Sequence, residues 1–262
     1  MASQIQFDDG AGYERFMGGW SRLVAEDFLD WLAPREGLRW LDVGCGNGAF
    51  TSVIAERCAP AMINGIDPSE AQLAFARTRL PSTLARFERG DAMALPFAAE
   101  SFDAAVMPLV IFFVPDPSKG VAEMARVVRP GGVVASYSWD MAGGGFPHAA
   151  VQDALRAMQI DVPSAPSADA SRIDRLVELW SGAGLDGVET REITVERTFA
   201  SFDDYWQTLL GGPSVGRQLN TLSAGDRERF MAQLRQRMPK PDADGRLTLS
   251  ARANAVRGRR ER

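Results

Sequence analysis

Ten residues, LDVGCGNGAF from Leu41 to Phe50, constrain this chain more than any other stretch. An apolar run from Leu38 to Val43 reads as a buried strand. It opens onto three glycines in five positions, Gly44, Gly46 and Gly48, and then onto a helical pattern from Ala49 to Cys58. Strand, glycine loop and helix in that order are the opening unit of an open α/β sheet. The glycines permit unusual dihedrals and let a ligand approach the backbone. The helix N-terminus offers free N–H groups to an anionic group. The spacing is G-x-G-x-G, not the G-x-G-x-x-G of a dinucleotide site, and Ala49 fills the slot of the third glycine. No G-x-x-x-x-G-K-[ST] occurs, so a nucleoside triphosphate loop of that type is excluded.

Short apolar runs alternate with helical patterns up to about Trp139, which argues for β-α-β units and a parallel sheet. Tyr13 to Leu32 reads as a first helix, with Phe16, Trp20, Leu23, Val24, Phe28 and Leu32 at helical spacing and Pro34 beyond it. Strands are expected at Ala61 to Ile66, Ala85 to Glu88, Ala104 to Pro108 and Val133 to Ser138. Helices are expected from Ser69 to about Leu80 and from Lys119 to Val128. Beyond Trp139 the texture changes. Gly143-Gly144-Gly145 reads as a flexible turn, Val151 to Met158 as a short helix, and Val162 to Ala170 as a loop or mobile lid. Ile173 to Ala183 is a helix closed by Gly184. Gly187 to Phe199 and Arg246 to Val256 show partial alternation and are expected to pair antiparallel, with helices at Phe202 to Leu210 and Ala224 to Met238 between them. Arg257 to Arg262 reads as a solvated basic tail.

The balance of 29 basic against 34 acidic residues gives a net charge of −5, which speaks against a phosphate-tracking surface and so against nucleic acid as the main partner. Two cysteines, Cys45 and Cys58, are too few for a disulfide scaffold, and a reducing, cytoplasmic setting is expected. The start MASQIQFDDG has no signal-peptide pattern, and the run from Ala104 to Val114 is too short to span a bilayer. One histidine and no cysteine pair leave no metal-ligand cluster to draw, so no metal is expected.

Three carboxylates close three successive strand regions: Asp42, Asp67 and Asp91. Asp42 would repel a pyrophosphate and favour a cationic ligand. Asp67 can accept hydrogen bonds from both hydroxyls of a ribose, and Asp91 from an exocyclic amine. The loop has no lysine or arginine for phosphates. A ribose, an adenine-like base and a positive group together suggest S-adenosyl-L-methionine.

The segments LDVGCGNG, GIDPSEAQLAFAR, GDAMALPFAAESFDAAV and EMARVVRPGGVV follow in that order, and over about residues 38 to 138 the chain resembles the class I S-adenosylmethionine-dependent methyltransferases of the type 11, UbiE-like group. FMGGWSR and ASFDDYW are similar to a bacterial subgroup of the same enzymes. The resemblance implies a Rossmann-like, seven-stranded, mostly parallel sheet with helices on both faces, an antiparallel C-terminal strand pair and a helical cap. It implies one domain over residues 1–262: an N-terminal helical lid (1–36), a cofactor-binding core (37–140), a cap and substrate region (141–240) and a last strand (245–257). It implies S-adenosyl-L-methionine as cofactor and S-adenosyl-L-homocysteine as product.

Residue by residue, the resemblance implies that Gly44, Cys45, Gly46 and Gly48 line the methionine end through their backbone and that Asp42 helps hold the amino group. Asp67, beside Pro68, would bind the ribose and Asp91 the adenine amine, with Ala92 and Met93 flanking the base. Pro108 and Leu109 would lie near the reacting methyl, and Trp20 is either core or a lid contact. MPLVIFFV departs from relatives that carry a polar or histidine-containing segment after the fourth strand. His148, Tyr137 and Asp140 are the candidate general bases, with His148 foremost. The expected partner is a small-molecule acceptor, methylated on O, N or C, and a homodimer is an open expectation. The alternatives are a protein that binds S-adenosylmethionine without turnover and a dinucleotide oxidoreductase.

Overall fold

The computed structural model describes residues 14–162, 164–212 and 215–261. Its frame is a seven-stranded sheet in the order β3-β2-β1-β4-β5-β7-β6. The strands are β1 (Arg39–Val43), β2 (Met62–Asp67), β3 (Ala85–Arg89), β4 (Phe102–Pro108), β5 (Val128–Trp139), β6 (Leu185–Phe199) and β7 (Leu247–Arg260). The first five run parallel, and β7 lies antiparallel between β5 and β6. The central strands β1 and β4 are buried apart from Arg39 and Asp103 near their starts, as strands covered on both faces must largely be. β6, at the edge, alternates buried Ile193, Val195 and Phe199 with exposed Thr194, Glu196 and Thr198.

Helices α1 (Gly19–Leu32), α2 (Ala49–Arg57), α3 (Glu70–Arg79), α4 (Pro117–Val127), α5 (Ala149–Ala157), α6 (Ile173–Gly182), α7 (Phe202–Leu210), α8 (Val215–Thr221) and α9 (Ala224–Arg237) surround the sheet. Local chemistry sets several of their starts. Asp116 accepts from the Lys119 N–H at 3.1 Å, with Pro117 in the first turn of α4, and Ser201 accepts from the Asp204 N–H at 3.1 Å to start α7. α1 and α2 pack together, and their Phe28 and Phe50 close on Tyr137 of β5. α6 reaches the sheet through Trp180, whose indole N–H donates to the Val134 carbonyl at 2.9 Å.

The expected elements are present with boundaries moved by a few residues. Several expectations need correcting. Residues 14–18 form a wide π-type turn ahead of α1, and Tyr13 lies outside the described residues. α8 was not foreseen. The basic tail is no tail: Arg257 and Arg260 end β7, where Arg257 donates to the Trp31 carbonyl at 2.7 Å and lies over the Trp31 ring; Arg262 lies outside the described residues. The supposed lid is pinned as well. The Ser167 hydroxyl donates to the Val114 carbonyl at 2.8 Å and its N–H to the Phe112 carbonyl at 3.0 Å; Pro163 lies outside the described residues. Among the described residues no helix is long and apolar enough to cross a membrane.

Candidate functional site

The strand order reverses between β1 and β4, and the loops after β1, β2 and β4 meet at that switch, where open α/β sheets bind ligands. Gly44, Gly46 and Gly48 all have positive φ, at 73°, 52° and 78°. Two are also sterically required. A Cβ on Gly44 would stand 2.5 Å from a Val110 methyl, and one on Gly48 would stand 3.1 Å from the Ala76 Cβ. Gly46 is different: a Cβ there would meet only the Gln72 Oε1, at 4.0 Å. The loop thus packs tightly at both ends and is open in the middle, the shape of a backbone cradle.

Asp42 sits beneath this cradle with no exposure. Its Oδ2 accepts from the Thr51 hydroxyl at 2.6 Å, while its Oδ1 is buried without a partner among the described residues. Burial raises its pKa to about 7; the Thr51 bond opposes the rise and the charge of Asp67 adds to it. An orphaned buried carboxylate oxygen costs free energy unless a donor reaches it. A ligand with a cationic or N–H group supplies that donor. Asp67 holds the loop itself. Its Oδ2 accepts from the Gly46 N–H at 3.0 Å and its Oδ1 from the Ser69 N–H at 2.8 Å, and burial again raises its pKa. Beside it Pro68 is exposed. Cys45 packs inward, and burial first, then Asp42 and Asp67, push its thiol well above the ordinary range. It is a packing residue and no nucleophile.

Asp91 is exposed, with Oδ1 accepting from the Met93 N–H at 2.8 Å, so it shapes the turn that presents Ala92 and Met93, both half-buried. Pro108 ends β4. Leu109 follows at φ 59°, its N–H donating to the Tyr137 carbonyl at 2.7 Å. This kink splits the segment: Val110 faces Gly44, while Leu109 lines a cavity of about 420 Å³. Phe16, Phe112, Phe113, Trp139 and Phe146 form its aromatic walls, and Gln152, Asp153 and Arg156 of α5 supply a polar side.

Trp20 takes the core reading of its two alternatives, and His148 sits elsewhere than the sequence suggested. Trp20 is fully buried against Phe199 of β6, with ring centroids 6.4 Å apart, so it belongs to the core; the residue of that segment that reaches the glycine loop is Glu14, which accepts from the Asn47 side chain at 3.1 Å and pairs with Arg79. His148 is also fully buried. It stacks on Phe16 at 4.2 Å, and its Nδ1 lies 3.1 Å from the Tyr205 hydroxyl. Burial first, then the Arg197 charge, lowers its pKa to about 3, so it is a poor proton acceptor at neutral pH. Tyr137 is buried between Phe28 and Phe50, and Asp140 is ion-paired with Arg252. Tyr205 and Trp206 are core residues too; Trp206 packs on Phe230. Glu14, Thr51 and the α5 face carried no sequence signal, because each depends on a neighbour far along the chain or on which helix face turns inward.

A parallel sheet with an antiparallel β7 inserted before β6, and a glycine cradle over a buried acid at its switch, define the Rossmann-like fold of the class I S-adenosylmethionine-dependent methyltransferases. Residues 41–136 match the family model described as methyltransferase domain, and the chain carries that domain. Over 202 residues the chain is 29% identical to an uncharacterized protein of Mycobacterium tuberculosis, covering 72% of this chain and 73% of that one. It is 37% identical over 119 residues to the ubiquinone/menaquinone biosynthesis C-methyltransferase UbiE of Paracoccus denitrificans, covering 44% of this chain and 48% of the relative. Its fold is similar to that of the Haemonchus contortus phosphoethanolamine N-methyltransferase 2 in complex with S-adenosyl-L-methionine, with a TM-score of 0.61 at 18% identity over 99% of this chain and 58% of that one.

Proposed function

We propose that the protein transfers the methyl group of S-adenosyl-L-methionine to a small, largely apolar acceptor. The observation that carries this reading is the split at Leu109 and Val110: Leu109 faces the aromatic cavity and Val110 faces the glycine cradle, so cradle and cavity share a wall. The residues present fit the cofactor. Asp42 has a free buried oxygen for the amino group, the open backbone at Gly46 admits the methionine end, and Asp67 has lone pairs left for ribose hydroxyls. Ala92 and Met93 offer an apolar edge to the base, with Asp91 beside its amine.

When bound, the cofactor supplies a methyl group already activated by its sulfonium. The protein's work is therefore alignment and exclusion of water. Phe16 and Met17 close the cavity from the N-terminal side, and Leu109, Phe112 and Trp139 form its wall beneath β4 and β5. His148 is assigned to holding α5 against α7 through Tyr205, not to moving a proton. The aromatic lining agrees with an aromatic acceptor, a relative carries the name ubiquinone/menaquinone biosynthesis C-methyltransferase, and the acidic charge balance agrees with a small molecule better than with nucleic acid.

The test is calorimetric titration with S-adenosylmethionine and NADH, followed by transfer of labelled methyl to a panel of phenols, quinols, amines and carboxylates. The expected result is binding of S-adenosylmethionine and labelling of apolar aromatic acceptors. Preferential NADH binding would refute it, and binding with no transfer to any component of a cell extract would favour a partner or regulator instead.

A further inference from the structure

Gly143-Gly144-Gly145, which reads as a flexible turn, is tied on both sides by hydrogen bonds beside the acceptor cavity. Asp140 follows the last residue of β5, and its side chain is 10% exposed. Its Oδ1 accepts from the Gly143 N–H at 2.8 Å, and its carbonyl accepts from the Gly145 N–H at 2.8 Å. Its own N–H donates to the Arg252 carbonyl at 3.0 Å, and the Arg252 N–H donates to the Gly145 carbonyl at 2.9 Å. The Arg252 guanidinium closes the ring, with Nε donating to Asp140 Oδ2 at 3.0 Å and Nη2 reaching the Gly143 carbonyl at 3.4 Å; Glu192 of β6 lies 3.7 Å from Nε. At Gly143 and Gly145 the ring has no room for a side chain. A Cβ on Gly143 would stand 2.0 Å from Asp140 Oδ2, and one on Gly145 2.5 Å from the Arg252 carbonyl oxygen.

The turn built by this ring carries Met141, Ala142, Gly144 and Phe146, all of which line the cavity, and Trp139 precedes it. We propose that the Asp140–Arg252 pair is the positioning device that sets this wall of the acceptor cavity. It bolts the end of β5 to β7, 112 residues away in sequence, and so holds the turn in one shape. The inference rests on the cavity being the acceptor site. It removes Asp140 from the candidate bases, because both carboxylate oxygens are engaged. A nearly buried carboxylate that lost its arginine would be left uncompensated, so the pair acts as a unit.

The test uses the full chain with Asp140→Asn and Arg252→Lys, which keep size or charge while breaking the paired geometry. Three readouts are independent of turnover: amide hydrogen exchange, calorimetric binding of S-adenosylhomocysteine, and binding of anilinonaphthalene sulfonate as probe of the apolar cavity. Both variants are expected to speed exchange at Gly143 and Gly145 by roughly tenfold or more, with β1 amides unchanged. Dye affinity should fall by about fivefold while S-adenosylhomocysteine affinity stays within about twofold, since coupling is confined to contacting groups. Unchanged exchange at the two glycines overturns the proposal. So does loosening that spreads to β1, or loss of dye and S-adenosylhomocysteine binding in step. Failure of the wild-type protein to bind S-adenosylhomocysteine would refute the methyltransferase reading, and the exchange result would still decide whether the pair holds the turn.

Discussion

Replacing Asp42 by asparagine separates the cost of the site from its use. The carboxyl has a folded pKa of about 7 against an ordinary value of 3.8, because it is wholly buried. A carboxyl whose pKa is raised on folding binds its proton more tightly in the native state, so the native state loses stability as pH climbs from 3.8 to about 7. At 1.36 kcal/mol per unit, the full cost above that range is roughly 4 kcal/mol, and near pH 5 it is about 1.7 kcal/mol. Asparagine keeps an oxygen to accept from Thr51 and has no charge to bury. Without cofactor, the stability of Asp42→Asn relative to wild type should therefore grow by roughly 3 kcal/mol between about pH 5 and pH 8 in urea unfolding. Cofactor affinity should move the other way. Wild-type affinity for S-adenosylmethionine should rise as pH passes 7, and the variant should bind about tenfold or more weakly with a flat profile, the loss of one charge-assisted bond. A pH-independent stability difference would show that no charge is being buried at Asp42. Equal calorimetric affinities would show that the ligand does not use it.

Three further outcomes follow from the same geometry. Asp67→Ala frees the Gly46 and Ser69 N–H groups and removes the ribose acceptor, so S-adenosylmethionine affinity should fall by about tenfold to a hundredfold; an unchanged dissociation constant would refute the nucleoside assignment. His148→Phe should cost about 1–3 kcal/mol in urea unfolding, because the buried Tyr205 hydroxyl loses its partner, while turnover stays within a few-fold of wild type; a loss of about a thousandfold in a folded variant would make His148 a base after all. Arg257→Ala should lower stability by about 1–2 kcal/mol through the lost Trp31 contacts, and an unchanged melting temperature would return those residues to the status of a solvated tail.

The glycine loop and the two acids beside it were legible in the chain because their signals are local. Gly44, Gly46 and Gly48 stand within five residues and betray a backbone that must come close to something, and Asp42 and Asp67 end apolar strands where a carboxylate has no packing reason to be. The alternation of strand and helix then settles a parallel sheet, since a right-handed crossover leaves few other arrangements. The surroundings of the aromatic cavity were not legible, because their determinants are pairings between distant residues. The triple glycine looks mobile until Arg252 is seen across it. The single histidine looks reactive until Phe16 and Tyr205 bury it, and Arg257 looks like a tail until Trp31 receives it. The sequence by itself determined the strand, glycine loop and helix at the switch point of the sheet and the acids beside them, through spacing and residue type. Only the tertiary structure decided which polar groups remain free to meet a substrate, because burial and partnership are properties of neighbours that the chain brings together only on folding.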